Sequence, residues 1–150
     1  MIDGSPQPDW ILGHTSNLTY QDFDLSFTLR AHIGNDVYNN TASFRGALDR
    51  LKGQTPNNLH ESYLTTRFDS PQFFSDFYVE DASFLRVQNV TLGYTVRSLP
   101  QVDRLRIYGS VQNAFTFTGY SGPDPEVPDG LDSNLYPRSR TFTAGINLQL

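Results

Sequence analysis

The stretch FDLSFTLRAHI (23–33) decides the fold. Every odd position is apolar (Phe23, Leu25, Phe27, Leu29, Ala31, Ile33) and every even one polar (Asp24, Ser26, Thr28, Arg30, His32). A period of two places alternate side chains on opposite sides of an extended chain, so this is a β-strand with one dry face and one wet face. TFTAGINLQL (141–150) repeats the pattern with opposite parity, setting Phe142, Ala144, Ile146, Leu148 and Leu150 against Thr141, Thr143, Gly145, Asn147 and Gln149. Three further segments alternate less cleanly. Trp10, Leu12, Leu18 and Tyr20 share a face that His14 and Ser16 interrupt. Val90, Leu92, Tyr94 and Val96 alternate with polar or small residues, while Leu85 and Val87 stand in the opposite phase. A phase flip at Gln88-Asn89 is what an inserted bulge residue produces. Leu105, Ile107, Val111, Phe115 and Phe117 form the fifth face, with Asn113 out of place. The expected strands lie near 10–20, 23–33, 84–96, 105–118 and 141–150.

The connections alternate between short and long. Gln21-Asp22 and the link containing Pro100 are short, whereas 34–82 and 119–140 are long. Compact soluble domains rarely carry long structureless loops, but an outer-membrane barrel has short turns on its periplasmic side and long loops outside. If Tyr20 faces Phe23, then Leu18 faces Leu25, Leu12 faces Ala31 and Trp10 faces Ile33. Pairing Val96 with Leu105 likewise sets Tyr94 against Ile107 and Val90 against Val111. Both hairpins keep one continuous apolar face, which a one-residue slip would scramble. The register between 105–118 and 141–150 stays open. The one helix expected runs from Thr41 to Lys52, with Thr41 as cap, Phe44, Leu48 and Leu51 on one face, and Gly53 and Pro56 beyond. A single helix cannot cover five strands, so lipid fits the apolar face better than a second protein layer. The rival reading is a soluble β-sandwich or small β-barrel that binds a ligand with the apolar face turned inward. Side chains this large and numerous would crowd so small an interior.

Composition agrees with a barrel. Of 150 residues, 11 are Phe, 8 Tyr and 1 Trp, an excess suited to aromatic girdles and loop surfaces. No run approaches the roughly 18–20 apolar residues of a membrane helix. The net charge of -5, with Lys+Arg of 11, argues against nucleic acid as a partner. With Cys at 0, disulfide scaffolds, thiolate metal sites and cysteine nucleophiles are excluded. The opening MIDGSPQPDW has no basic or apolar leader region and reads as irregular structure, a hint that the chain is part of something longer.

The segments DASFLRVQNVTLGYTV (81–96) and LRIYGSVQNAFTFTGYSGPDPEV (105–127) resemble barrel strands of SusC/RagA-type TonB-dependent outer-membrane transporters. PDWILG (8–13), NDVYNNT (35–41) and YPRSRTFTAGINLQL (136–150) extend the resemblance to nearly the whole chain, apart from 53–75. It implies an all-β fold of antiparallel, up-and-down transmembrane strands, the last five of a barrel of about 22. The N-terminal plug domain would be absent from this chain. It also implies import of glycan or peptide fragments across the outer membrane of a Gram-negative bacterium. Energy would come from the TonB complex, acting through the missing N-terminal part, and a SusD-like surface lipoprotein would act as a lid. Tyr20 and Tyr94 would then lie near the periplasmic interface. Such barrels commonly end in an aromatic residue, where this chain has Leu150.

Each candidate site also has a plain structural role. Asp124, Glu126, Asp129 and Asp132 gather in YSGPDPEVPDGLD, but their spacing is not that of a calcium loop, and Pro123, Pro125 and Pro128 suggest a stiff, solvated segment. Glu61, Glu80 and Glu126 all fall in expected loops, with nothing to fix the separation that a glycosidase needs. His14 and His32 face opposite sides of the sheet, and His60 lies in a loop, so no metal site is expected. The reading is therefore a non-enzyme without cofactor. The polar face (Arg30, Arg106, Tyr108, Ser110, Gln112, Asn147, Gln149) is expected to line the lumen. Phe73, Phe74, Phe77, Tyr78 and Tyr120, with Asp124 and Glu126, are the loop candidates for facing the lid or cargo.

Overall fold

A computed structural model of the chain describes residues 4–52, 58–97, 102–133 and 136–149. The link at Pro100, the helix stop at Gly53 and Pro56, and the final Leu150 lie outside the described residues. Two compact units emerge. The first is an antiparallel sheet of β1 (Trp10–Tyr20), β2 (Phe23–Ile33), β5 (Phe84–Val96), β6 (Arg104–Thr118) and β7 (Thr141–Gln149), in the order β1-β2-β5-β6-β7. β1 and β7 are its edges, so it is neither closed on itself nor folded into a sandwich.

Register explains the irregularities in the sequence. β2 and β5 pair Phe23 with Tyr94, Leu25 with Leu92 and Phe27 with Val90; then the register shifts, and Leu29 meets Val87 and Ala31 meets Leu85. Gln88 is the extra residue. The bulge returns Leu85 and Val87 to the apolar face, opposite apolar partners. β6 and β7 pair Leu105 with Leu148, Ile107 with Ile146 and Val111 with Phe142, a register that strand alternation alone does not determine. Their ladder ends at Gln112 and Thr141. The next residue, Asn113, turns left-handed at φ 51°, and its Nδ2 donates to the Ser139 carbonyl at 3.0 Å. Asparagine tolerates that conformation better than most residues, which accounts for the polar intruder. The Thr15 and Thr28 hydroxyls, opposite one another if Tyr20 faces Phe23, lie 3.2 Å apart.

The apolar face remains open. Trp10 is 66% exposed, Phe142 72% and Ile146 67%, with Leu12, Leu18, Leu92, Ile107 and Leu148 among their exposed companions. Soluble monomers do not expose apolar surface of this extent, so something outside this chain must cover it. His14 and Ser16 interrupt this face, yet His14 Nε2 lies 2.8 Å from Ser16 Oγ. The two satisfy each other.

The second unit gathers Met1–Asp9, Ile33–Ser83 and Thr118–Pro137. Its centre is a short ribbon, β3 (Asp36–Tyr38) against β4 (Val79–Asp81). Tyr38 binds the second long connection through its N–H to the Gly130 carbonyl (2.8 Å) and its carbonyl to the Asp132 N–H (3.0 Å). Val37, Ala82, Tyr120 and Val127 form one core cluster; Tyr38, Ala42 and Tyr78 form another, with Val79 packed against it. The expected helix is shorter and starts earlier. α1 covers Asn40–Arg45 and is capped by Asn39, whose side chain accepts from the Ala42 N–H at 2.9 Å. Asparagine is a better cap than threonine, so the start moves two residues back from Thr41. Gly46 closes the helix by donating to the Ala42 carbonyl. Leu48 then donates to Phe68, and Leu48–Lys52 forms a separate 3-10 turn. Phe44, Leu48 and Leu51 therefore share no helix face. A second helix, α2 (Tyr63–Thr66), was not foreseen.

Candidate functional site

The polar face of the sheet holds the residues expected to line a lumen. Arg106, Tyr108, Ser110 and Gln112 alternate along β6 and meet Asn147, Gly145, Thr143 and Thr141 on β7, while Gln149 faces Arg104. Arg30 stands apart on β2, opposite Arg86. Hydrogen bonds run across the strands on this face. Thr91 donates to Ser110 at 3.0 Å, Ser110 to Asn89 at 3.0 Å, and Arg86 Nε to Thr116 at 3.1 Å. Arg106 forms a forked ion pair with Asp24, its Nε 2.9 Å from Oδ1 and its Nη2 bound to Oδ2. A Cβ at Gly93 would fall 2.4 Å from Asp24 Oδ1 and 2.6 Å from Arg106 Nη2, so the pair lies flat across a strand that has no side chain there. Tyr108 does the same over Gly145, where a Cβ would sit 2.5 Å from its Cζ. Charged and aromatic groups are thus pressed against the wall.

Sequence reasoning missed Asp24, Asn89, Thr91 and Arg86 as members of this face. Parity alone could have found Asp24 and Thr91, because both share the polar phase of their strands. Arg86 required the bulge at Gln88 to be applied. It is also buried, with its guanidinium 5.0 Å from the Phe84 ring.

The loop candidates divide. Phe73, Phe74 and Phe77 are exposed, as a surface contact requires. Tyr78 and Tyr120 are corrected: both are buried in the loop unit's own clusters and present no face to a lid or cargo. Tyr120 donates its hydroxyl to Asp132 at 2.6 Å. Burial first, and then that carboxylate, hold its phenol well above the usual tyrosine range. Burial also raises Tyr78. The 119–140 loop is not the solvated segment its prolines suggested, since Asp124, Val127 and Asp132 are all buried. Its carboxylates serve the loop itself. Asp124 accepts from the Glu126 N–H and Asp129 from the Leu131 N–H. Among the described residues no three His, Asp or Glu converge as a metal site. Glu80 binds Asn39 and both the N–H and the hydroxyl of Ser121. His60 binds Ser62.

A strand wall with an open apolar face and a cross-linked polar face defines a class, the transmembrane β-barrel. No family model matches the chain. It is 37% identical to the TonB-dependent receptor SusC of Bacteroides thetaiotaomicron over 96% of its length, and 31% identical to the TonB-dependent receptor P3 of Formosa agariphila over 99%. It spans 15% and 17% of the lengths of those relatives. Solved structures of the RagAB peptide transporter superpose on 98% of the chain with a TM-score of 0.76 at 26% identity, covering 18% of that chain. The open-open state of the RagAB importer gives 0.75 at 25% identity. The chain belongs with the SusC/RagA-type TonB-dependent receptors, within their β-barrel. These relatives are receptors and transporters, not enzymes.

Proposed function

We propose that the chain is the C-terminal part of the barrel of an outer-membrane active transporter in a Gram-negative bacterium, supplying its last five strands. The observation that carries this reading is the two-faced sheet. One face exposes Trp10, Tyr20, Phe142 and Ile146; the other carries a hydrogen-bonded polar network around Arg106 and Ser110. Lipid outside and a wet lumen inside satisfy both faces at once. The free edges at β1 and β7 would pair with the rest of a barrel of about 22 strands. The long connections at 34–82 and 119–140 would lie outside the cell, with Phe73, Phe74 and Phe77 available to a SusD-like lipoprotein or to cargo. Oligosaccharide or peptide fragments would be the cargo, and the TonB complex would drive import through a plug encoded elsewhere in the protein.

The test is expression of the chain without detergent, together with reading of the DNA on either side. Aggregation in water, plug-coding sequence upstream and a neighbouring gene for a SusD-like lipoprotein are the expected results. A soluble monomer that melts cooperatively would sink the membrane reading. It would favour the inward-facing ligand-binding protein, which the open apolar face already opposes.

A further inference from the structure

Charge is unevenly distributed along the strands of the sheet. Its side-chain carboxylates, Asp22, Asp24 and Asp103, all stand at the end of the two-residue turn. The opposite end, where β2 and β6 finish and β5 and β7 start, carries Arg138 and Arg140, and neither 105–117 nor 138–150 contains an acidic residue. Asn113 fixes the approach to β7 there, its Nδ2 donating to the carbonyl of Ser139, one residue before Arg140. The Arg140 guanidinium carbon stands 5.3 Å from the centre of the Phe115 ring. Phe115 and Phe117 are both exposed, with their rings stacked at 6.5 Å. Both belong to the apolar face, because Thr116 between them accepts the Arg86 hydrogen bond on the polar face. A cation therefore lies on the dry side of the sheet, at its rim.

We infer that Arg140, braced on Phe115, binds a phosphate of a lipid headgroup in the outer leaflet. The inference rests on the barrel reading above and adds a ligand to its lipid-facing side. Height places the site. Leu105 and Phe115 are ten residues apart, which is about 33 Å of strand and, at a tilt of about 40°, about 25 Å of height. A barrel's apolar band has that height, so Phe115 falls where an aromatic girdle belongs and Arg140 lies at its outer edge. Trp10 is exposed at the same end, and Phe23 and Tyr94, with rings 4.7 Å apart, serve the other. A guanidinium is costly in hydrocarbon, but one held against a ring can extend its hydrogens into the headgroup layer. Phosphates are anions of that layer, and the planar fork takes two phosphate oxygens at once. At the turn end, by contrast, Arg97 and Arg106 are answered within the chain by Asp22 and Asp24.

The experiment uses the full-length transporter containing this chain, purified in mild detergent, and counts retained lipid by native mass spectrometry. The probes are lipid A with its phosphates and the same lipid with them removed, with inorganic phosphate as competitor. Wild type is expected to retain the phosphorylated lipid in preference to the other. Arg140→Gln should retain about fivefold less of it, as loss of one interfacial charge predicts. Arg140→Lys keeps the charge but loses the fork, and should retain an intermediate amount. Arg97→Gln, at the turn end, should match wild type. Heat-dependent migration in gels, equal in all variants, is the folding control. Equal retention by wild type and Arg140→Gln, or no preference for the phosphorylated lipid, would overturn the proposal and leave an inserted barrel standing. Displacement of the lipid by millimolar inorganic phosphate would overturn it in favour of a free-anion site. Recovery of the full-length protein in the soluble fraction would overturn the barrel reading and the site with it.

Discussion

The sheet and the loop unit obey opposite rules with the same twenty amino acids. In the sheet the large apolar side chains point outward and the polar ones cross-link the other face. In the loop unit the apolar residues are inside, as in a water-soluble protein: Val37 and Ala82 are fully buried with Tyr120 beside them, and Tyr78 is buried in a second cluster with Tyr38 and Ala42. The lesson is that burial within the chain does not measure importance in the sheet. On the proposed reading its apolar residues are exposed because lipid, not water, covers them. Identical substitutions should therefore have opposite consequences in the two regions.

The largest effect is expected in the loop unit. Val37→Asp places a carboxylate in a fully buried site with no partner, which costs about 3–5 kcal/mol. In intact cells the long connections should become open to added protease while the sheet keeps its resistance to heat and detergent. Joint loss of both protections would mean that the two units do not follow separate rules. The next effect is in the sheet. Leu92 is 54% exposed, and on a soluble surface its replacement by Arg would change stability by less than about 0.5 kcal/mol. If that face meets lipid as proposed, Leu92→Arg should instead cost about 2–4 kcal/mol in urea unfolding from vesicles. A variant indistinguishable from wild type would place that face against water or protein.

The third prediction returns to the loop unit and adds pH. Tyr120→Phe removes the hydroxyl that binds the buried Asp132 and should cost about 1.5 kcal/mol at neutral pH. Burial and Asp132 raise the Tyr120 phenol above its ordinary value of 10.0. The neutral phenol is thus favoured in the folded state. Its stabilising contribution is complete below about pH 10 and falls as pH rises further, because the unfolded tyrosine ionises first. Protease resistance of the wild-type loops should decline above about pH 10, and the phenylalanine variant should decline less steeply. Tyr78, raised by burial, accounts for a residual slope in that variant. Parallel profiles would show that Tyr120 does not govern this loss.

The two regions were also unequally legible. A strand writes its two faces into every second residue, so the alternation of 23–33, 105–118 and 141–150 carries both the fold and the set of residues on the polar face. The Gln88 bulge could be seen because it reverses that parity. The loop unit has no such period. Val37, Ala82, Tyr120 and Val127 meet from three distant stretches, and their spacing carries no sign of it. Aromatic character alone could not separate buried Tyr78 from exposed Phe77, its neighbour in sequence. Asn39 and Thr41 compete as caps within three residues, and only the hydrogen bond to Ala42 decides between them. The polar face was half legible: parity put Arg106, Tyr108, Asn147 and Gln149 on one side, but only the register of β6 with β7 set Arg104 against Gln149.

The smallest expected effect tests the one place where the sheet breaks its own rule. His14 and Ser16 sit two residues apart on β1 and so share the apolar face, a relation that parity already contains. Each alone would be a polar group facing hydrocarbon; together they close a hydrogen bond of 2.8 Å. Interactions of this kind average about 0.6 kcal/mol in membrane proteins, because the unfolded chain also finds partners. Ser16→Ala should therefore destabilise the protein in vesicles by about 0.6 kcal/mol. His14→Leu paired with Ser16→Ala should recover that loss, since it removes both polar groups and restores a continuous apolar stripe from Trp10 to Tyr20. If the double variant is instead less stable than the single one, the pair contacts something other than lipid, and the rule separating the two regions fails at that point on β1.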